Sequence, residues 1–253
     1  MFPAWFDMPE AVAFGRRVGL PEPAVLDSVA SLIAKSILSA EVNDDRARYR
    51  FAETTRAFAK EMLASANETG TAYQALISHV TAQYAVELAK EDGPKFGWLA
   101  CCIRNSDNAR ACLDWALAEG HDVGAGVELV LNALPSWMRT SRLIEHRHYL
   151  RPALAHILDV RPKRTKDELA LEVALALAQY YSGGPTNEVI SRLKRSLVLA
   201  RRLESKRNDE QGLGACCVRH AVQQAGLSRR GTILVAGSRS AQCPYRARAR
   251  RPV

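Results

Sequence analysis

Nowhere does the chain carry an uninterrupted apolar run approaching the roughly 20 residues needed to cross a bilayer. Its first residues, MFPAWFDMPE, lack a basic n-region and a long apolar h-region. No secretory leader is therefore expected, and the cytoplasm is the expected compartment. The phosphate-cradling pattern GxxxxGK[ST] is missing; Gly183-Gly184-Pro185 lacks the lysine and the following hydroxyl residue. GxGxxG and GxSxG are missing too. The six cysteines include two adjacent pairs, Cys101-Cys102 and Cys216-Cys217, but no C-x-x-C. Adjacent helical residues point about 100° apart, so Cys101 and Cys102 read as buried structural thiols. No nucleophile, base and orienting acid can be assembled from spacing. These absences exclude the usual ATPase, dinucleotide, hydrolase and zinc-knuckle chemistries. The expectation is a non-catalytic chain with no catalytic, cofactor-binding or metal-ligating residue.

Acidic residues are absent from one region, and that absence controls the charge. The formal net charge is +8. Residues 211–253 contain eight Arg, no Lys, no Asp and no Glu, whereas residues 1–210 hold 27 basic and 27 acidic side chains. The excess thus belongs wholly to the tail, and the rest has no basic footprint for nucleic acid. The tail also holds Cys216, Cys217 and Cys243 and shows no amphipathic period. Three readings stand for it: a frameshifted translation of a GC-rich gene, plain disorder, or a nucleic-acid-binding arm. On the first, meaningful sequence ends near residue 205.

What is present is chiefly helical periodicity. Asp7 can cap a helix over residues 8–17, which Gly19 and Pro21 break. In PAVLDSVASLIAKSIL, residues Leu26, Val29, Leu32, Ile33 and Ile37 form one apolar face. A hairpin follows: ILSAEV, a turn at Asn43, Asp44 and Asp45, then RARYRFA. The second strand alternates, with Ala47, Tyr49 and Phe51 on one face and Arg46, Arg48 and Arg50 on the other. ETTRAFAKEMLASA returns to helix, with Phe58, Met62 and Leu63 placed to pack inward. Helix, helix, hairpin, helix is the plan of a winged-helix unit, assigned to residues 1–68.

From residue 71 to 205 the pattern is helical throughout, beginning with a long helix over TAYQALISHVTAQYAVELAKED that Gly93 and Pro94 stop. KFGWLACCIRN and NARACLDWALAEG form the next pair, divided at Ser106 and Asp107. Helices near 122–138, 141–158, 166–182 and 186–204 follow, with short connections suited to antiparallel hairpins. The last four read as two repeats of about 40 residues, in the manner of a tetratricopeptide-like solenoid. The expected fold class is therefore mainly α: a winged-helix unit with one β-hairpin, then helical hairpins.

Few residues invite a binding role. His146 and His148 do not share a helical face and read as surface or groove polar residues. Glu145 and His148 could interact at i, i+3. Trp115 and Trp137 lie in apolar helical runs and read as core, with ligand stacking by Trp137 the alternative. Arg46, Arg48 and Arg50 form a local basic cluster that could meet a phosphate backbone or a neighbouring domain. Residues 1–68 hold eight basic and ten acidic side chains, which argues against DNA reading by this unit.

Two segments carry a resemblance. RYRFAETTRAFAKEML and DNARACLDWALAEG resemble, respectively, the end of the winged helix and the start of the helical repeats in bacterial signal-transduction ATPases with numerous domains. Many of these are winged-helix or LuxR-type transcriptional regulators. WFDMPEAVAF, VLDSVASLIAKSIL and WMRTSRLIEHRHYLRPALA are similar to further stretches of that family. The resemblance covers roughly residues 1–205 and lacks the family's phosphate loop, Mg-binding acids and DNA-binding domain. It implies a regulatory and sensor fragment whose parent binds ATP and Mg elsewhere. The implied partners are the parent's ATPase domain, or that of a related regulator, and an unknown signal protein or ligand. DNA contact is then indirect, membrane contact is not expected, and some relatives carry a cyclase as output. The alternative is a stand-alone DNA-binding protein using the winged helix and the Arg-rich tail.

Resequencing of the locus decides among the readings of the tail. A base inserted or lost near codon 211 is the expected result; an intact frame in independent reads rules the frameshift out.

Overall fold

The structure is a computed structural model, and the residues it describes are 2–43, 46–85, 96–160 and 165–205. The basic tail, with Cys216, Cys217 and Cys243, lies outside the described residues, as do residues 86–92 of the long helix expected from residue 71. Among the described residues no helix is long and apolar enough to cross a membrane. The chain divides into two compact units, the first ending at Arg161 and the second starting at Pro162.

The first unit opens with β1 (Phe6–Asp7) and α1 (Met8–Arg17). A reciprocal capping box sets the start of α1: the Glu10 amide donates to the Asp7 carboxylate, and the Asp7 amide donates to the Glu10 carboxylate, both at 2.9 Å. After α2 (Glu22–Ala34) come β2 (Leu38–Asn43) and β3 (Arg46–Phe51), then α3 (Glu53–Ser65). The three strands form one antiparallel sheet in the order β1-β3-β2. Its inner face carries Phe6, Leu38 and Tyr49, all buried. The order of helices and hairpin is the one the residue pattern predicts; β1 is an addition.

Two apolar faces differ from expectation. Phe58 and Met62 do not pack inward: they are 59% and 49% exposed. No residue of α3 is buried, because α3 leans on its neighbours only along one edge. Its Arg56 reaches back to the carbonyl of Pro3 and the carboxylate of Glu53. Likewise Leu26 is exposed, and α2 buries only Val25 and Val29.

α4 (Thr69–Ala85) is the axis of this unit. It packs on α1, α3, α5 (Phe96–Arg104), α6 (Ser106–Leu113) and α7 (Val123–Arg139). Polar bonds tie the same elements together. The Ala4 amide donates to Asn108 Oδ1 at 3.1 Å, and Asn105 Nδ2 donates to Glu10 Oε1 at 3.3 Å. Thus the sheet-bearing segment and helices α4 to α7 belong to one body. Asn105, rather than Ser106 or Asp107, stands at the start of α6. A π-helical turn, Asp114–Ala118, continues α6, and Asp122 caps α7 by accepting from the Ala125 amide at 3.0 Å. The next helix, α8 (Arg147–Asp159), starts six residues later than the periodicity predicts. Ser141 takes a left-handed conformation, φ 58°, which interrupts the run.

The second unit is a helical hairpin, α9 (Thr165–Gly183) and α10 (Asn187–Ser205). Gly184, at φ 76°, makes the sharp exit from α9. Glu172 is buried within α9 and accepts from Arg192 at 2.9 Å, with Arg195 at 3.6 Å. A buried carboxylate needs such partners to offset its lost hydration.

Two glycines hold helices at close range. A Cβ at Gly15 would sit 2.3 Å from Val25 Cγ2, and one at Gly126 would sit 2.6 Å from Leu117 Cγ. Gly15→Ala and Gly126→Ala should each destabilise the protein by about 1–3 kcal/mol in urea titrations. Gly70→Ala, where the space is open, should be neutral or slightly stabilising.

Candidate interaction face and aromatic cleft

The outer face of the sheet follows from its register. Arg48 stands opposite Asp7 of β1 and opposite Glu41 of β2. Its charge is thereby flanked by two carboxylates. Arg50 stands opposite Ser39 and is exposed, with its guanidinium 5.9 Å from the centre of the Trp5 ring. Arg46 pairs with Asn43 through the backbone, and its side chain lies outside the described residues. The strand therefore places Arg48 and Arg50 on one face. The described part of that face is of mixed charge, suited to a polar protein surface more than to a phosphate backbone.

A second site was not legible in the residue pattern. α3 ends in a turn at Asn67, φ 58°, that sends the chain back into α4. The end of α3 supplies Lys60, Leu63 and Ala64, and the start of α4 supplies Thr69, Gly70 and Tyr73. The π-turn and the loop after it add Trp115, Glu119 and His121. Together they line a cleft of about 340 Å³. The Tyr73 and Trp115 rings are stacked within 3° of parallel, with centres 5.0 Å apart. His121 stacks on Trp115 at 5.2 Å, and its Nε2 lies 3.2 Å from the Glu119 carboxylate. The Thr69 hydroxyl is buried without a hydrogen-bond partner. Burial pushes the Tyr73 phenol above its ordinary range, and Glu119, Cys112 and Asp114 reinforce the shift. Trp115 is core, as its apolar neighbours predict, yet one side of it belongs to this cleft. Tyr73 and His121 carried no sequence signal, since a stack formed across three elements has no spacing rule.

His146 corrects a further expectation. It is a buried residue, 2% exposed, and not a surface group. It precedes α8 and stacks on Trp137, with ring centres 4.3 Å apart and planes 18° from parallel. Neither ring nitrogen has a hydrogen-bond partner. Loss of hydration pushes its pKa down to about 4; Arg110, Arg142 and His148 act in the same direction, and Glu145 opposes them. Glu145 pairs with Arg110. The Tyr149 hydroxyl donates to Asp114 at 2.5 Å, which anchors α8 to the π-turn. Cys102 is buried as predicted and Cys101 is half-buried. Burial raises both thiols, that of Cys102 to about 12, so thiolate chemistry is suppressed. Among the described residues no group of three or more His, Cys, Asp or Glu is placed to hold a metal.

No family model matches the chain, and no solved structure matches it. It is similar to curated proteins named as candidate HTH-type transcriptional regulators, one from Mycobacterium bovis and two from strains of Mycobacterium tuberculosis. Each is 25% identical over 225 residues, which is 85% of this chain and 25% of the relative. The chain thus spans about a quarter of the length of these relatives.

The buried histidine has a thermodynamic signature. Its folded pKa lies below the ordinary 6.5. The unfolded chain therefore takes up the proton first as pH falls, and stability present above pH 6.5 is lost between there and about 4. His79, buried and likewise lowered to about 4, adds to the effect. The loss should be about 3 kcal/mol or less per histidine. Melting temperatures recorded from pH 7 to 4 should fall less steeply in His146→Phe, which keeps the stack on Trp137.

Proposed function

We propose that this chain is a regulatory and sensing part of a transcriptional regulator, acting through contacts with protein partners and not through chemistry of its own. The observation that carries this reading is the extent of the similarity: most of the chain aligns with regulators of which it spans only a quarter. A segment that is a minor part of a larger regulator has its meaning in how it contacts the rest. The segments RYRFAETTRAFAKEML and DNARACLDWALAEG support the finer reading, that the larger protein is a signal-transduction ATPase. In that reading the sheet-bearing segment packs on the ATPase domain, and the helices after it respond to a signal. The coupling requires that the signal bind the two states of the regulator with different affinity.

Surfaces suited to such contacts are present. Arg50 and Trp5 stand together on the outer face of the sheet, and Phe58 and Met62 project from α3. The alternative, direct DNA binding, draws on the eight arginines of residues 211–253. The flanking of Arg48 by Asp7 and Glu41 weighs against the sheet as its second contact.

Two assays separate the readings. The purified chain should hydrolyse ATP no faster than a blank, and turnover that persists through repurification would sink the non-catalytic reading. In a gel-shift titration at two salt concentrations, no shift of duplex DNA is expected. A salt-sensitive shift would favour the DNA-binding alternative.

A further inference from the structure

We propose that the cleft between α3, α4 and the π-turn is a binding site for a small zwitterion with a planar apolar body, an aromatic amino acid in its free form. Size is the first argument. At about 340 Å³ the cleft lies at the low end of small-molecule sites and has room for one amino acid. Its lining is the second. Leu63 and Ala64 supply an apolar wall, and the stacked Tyr73, Trp115 and His121 rings supply an aromatic one.

Charge selects the class of ligand. Lys60 reaches the cleft with no ion-pair partner among the described residues. Glu119 reaches it too and, among the described residues, pairs with His121 alone, both side chains being more than half exposed. A carboxylate alone would meet Lys60 but also Glu119; an amine alone would meet the reverse. A molecule carrying both groups matches both. The wall containing Trp115 is a π-turn, a helical irregularity common at functional positions. The cleft also joins the end of α3 to the first turn of α4, where the sheet-bearing segment meets the later helices. Binding depends on the cleft alone; its meaning as the regulator's signal rests on the reading proposed above.

Isothermal titration calorimetry on the full chain tests the site with three probes: L-tryptophan, indole-3-propionate without the amine, and tryptamine without the carboxylate. The expected result is saturable binding of L-tryptophan, with each single-charge analogue roughly tenfold weaker or worse. Lys60→Met should weaken L-tryptophan by a similar roughly tenfold factor and spare tryptamine. Gly70→Leu should abolish binding, because the space above Gly70 is open and the new side chain fills it. Circular dichroism melts of both variants should match the parent; if Gly70→Leu is unfolded, Lys60→Met decides. Absence of saturable heat with L-tryptophan at millimolar concentration overturns the site. So does equal affinity for all three probes, or full binding by a folded Gly70→Leu. A silent calorimeter leaves the regulator reading intact, whereas ATP turnover by the chain would overturn that reading and not this one.

Discussion

The first unit depends on α4 being buried on nearly every side. Leu76 and Val80 have no exposure and Tyr84 has almost none. Apart from a narrow exposed stripe at Thr71, Gln74 and Ser78, its surface is covered by the five helices packed around it. The polar groups of the junction are set accordingly. The Tyr84 hydroxyl donates to the carbonyl of Cys102, and the Trp98 indole donates to the carbonyl of Tyr84. These bonds fix α5 against α4 through groups that would otherwise be buried without partners. His79, on the same helix, has no partner for its Nε2 and is kept neutral by burial.

Polar bonds also tie the sheet-bearing segment to the helices C-terminal to it in the first unit. Glu10 serves twice: one carboxylate oxygen closes the capping box of α1, and the other accepts from Asn105 at the start of α6. Burial raises the Glu10 pKa against these bonds. A short polar chain thus links the start of α6 to the start of α1 across a long stretch of sequence. The second unit uses a different device, a buried glutamate held between two arginines one turn apart on the partner helix.

Most helices were legible because their apolar residues repeat at the helical period and their ends carry Asp, Gly or Pro. Asp7 before α1 and Gly184 after α9 act as the residues themselves predict. β1 was not legible, since two residues carry no alternation. The outward turn of Phe58 and Met62 was hidden because periodicity shows that a face is apolar, not that anything covers it. His146 was misplaced for a related reason: with α8 taken from residue 141, its position on the helix implied a wet face, whereas the residue lies before the helix and is packed by Trp137. Arg48 and Arg50 of β3 share a face as their alternation predicts, but the flanking of Arg48 by Asp7 came from the unforeseen strand. The aromatic cleft was beyond reach, because Tyr73, Trp115 and His121 belong to three separate elements.

The π-turn has a consequence of phase. Its backbone takes one residue more per turn than an α-helix, so the chain after it is rotated relative to the chain before it. Loss of any one residue from Asp114 to Ala118 would restore ordinary spacing and swing the next segment by about 100°. Glu119 and His121 would then leave the side of Tyr73, with every lining side chain still present in the chain. The cleft is in this sense a matter of counting: it depends on the number of residues in that turn as well as on Trp115 within it.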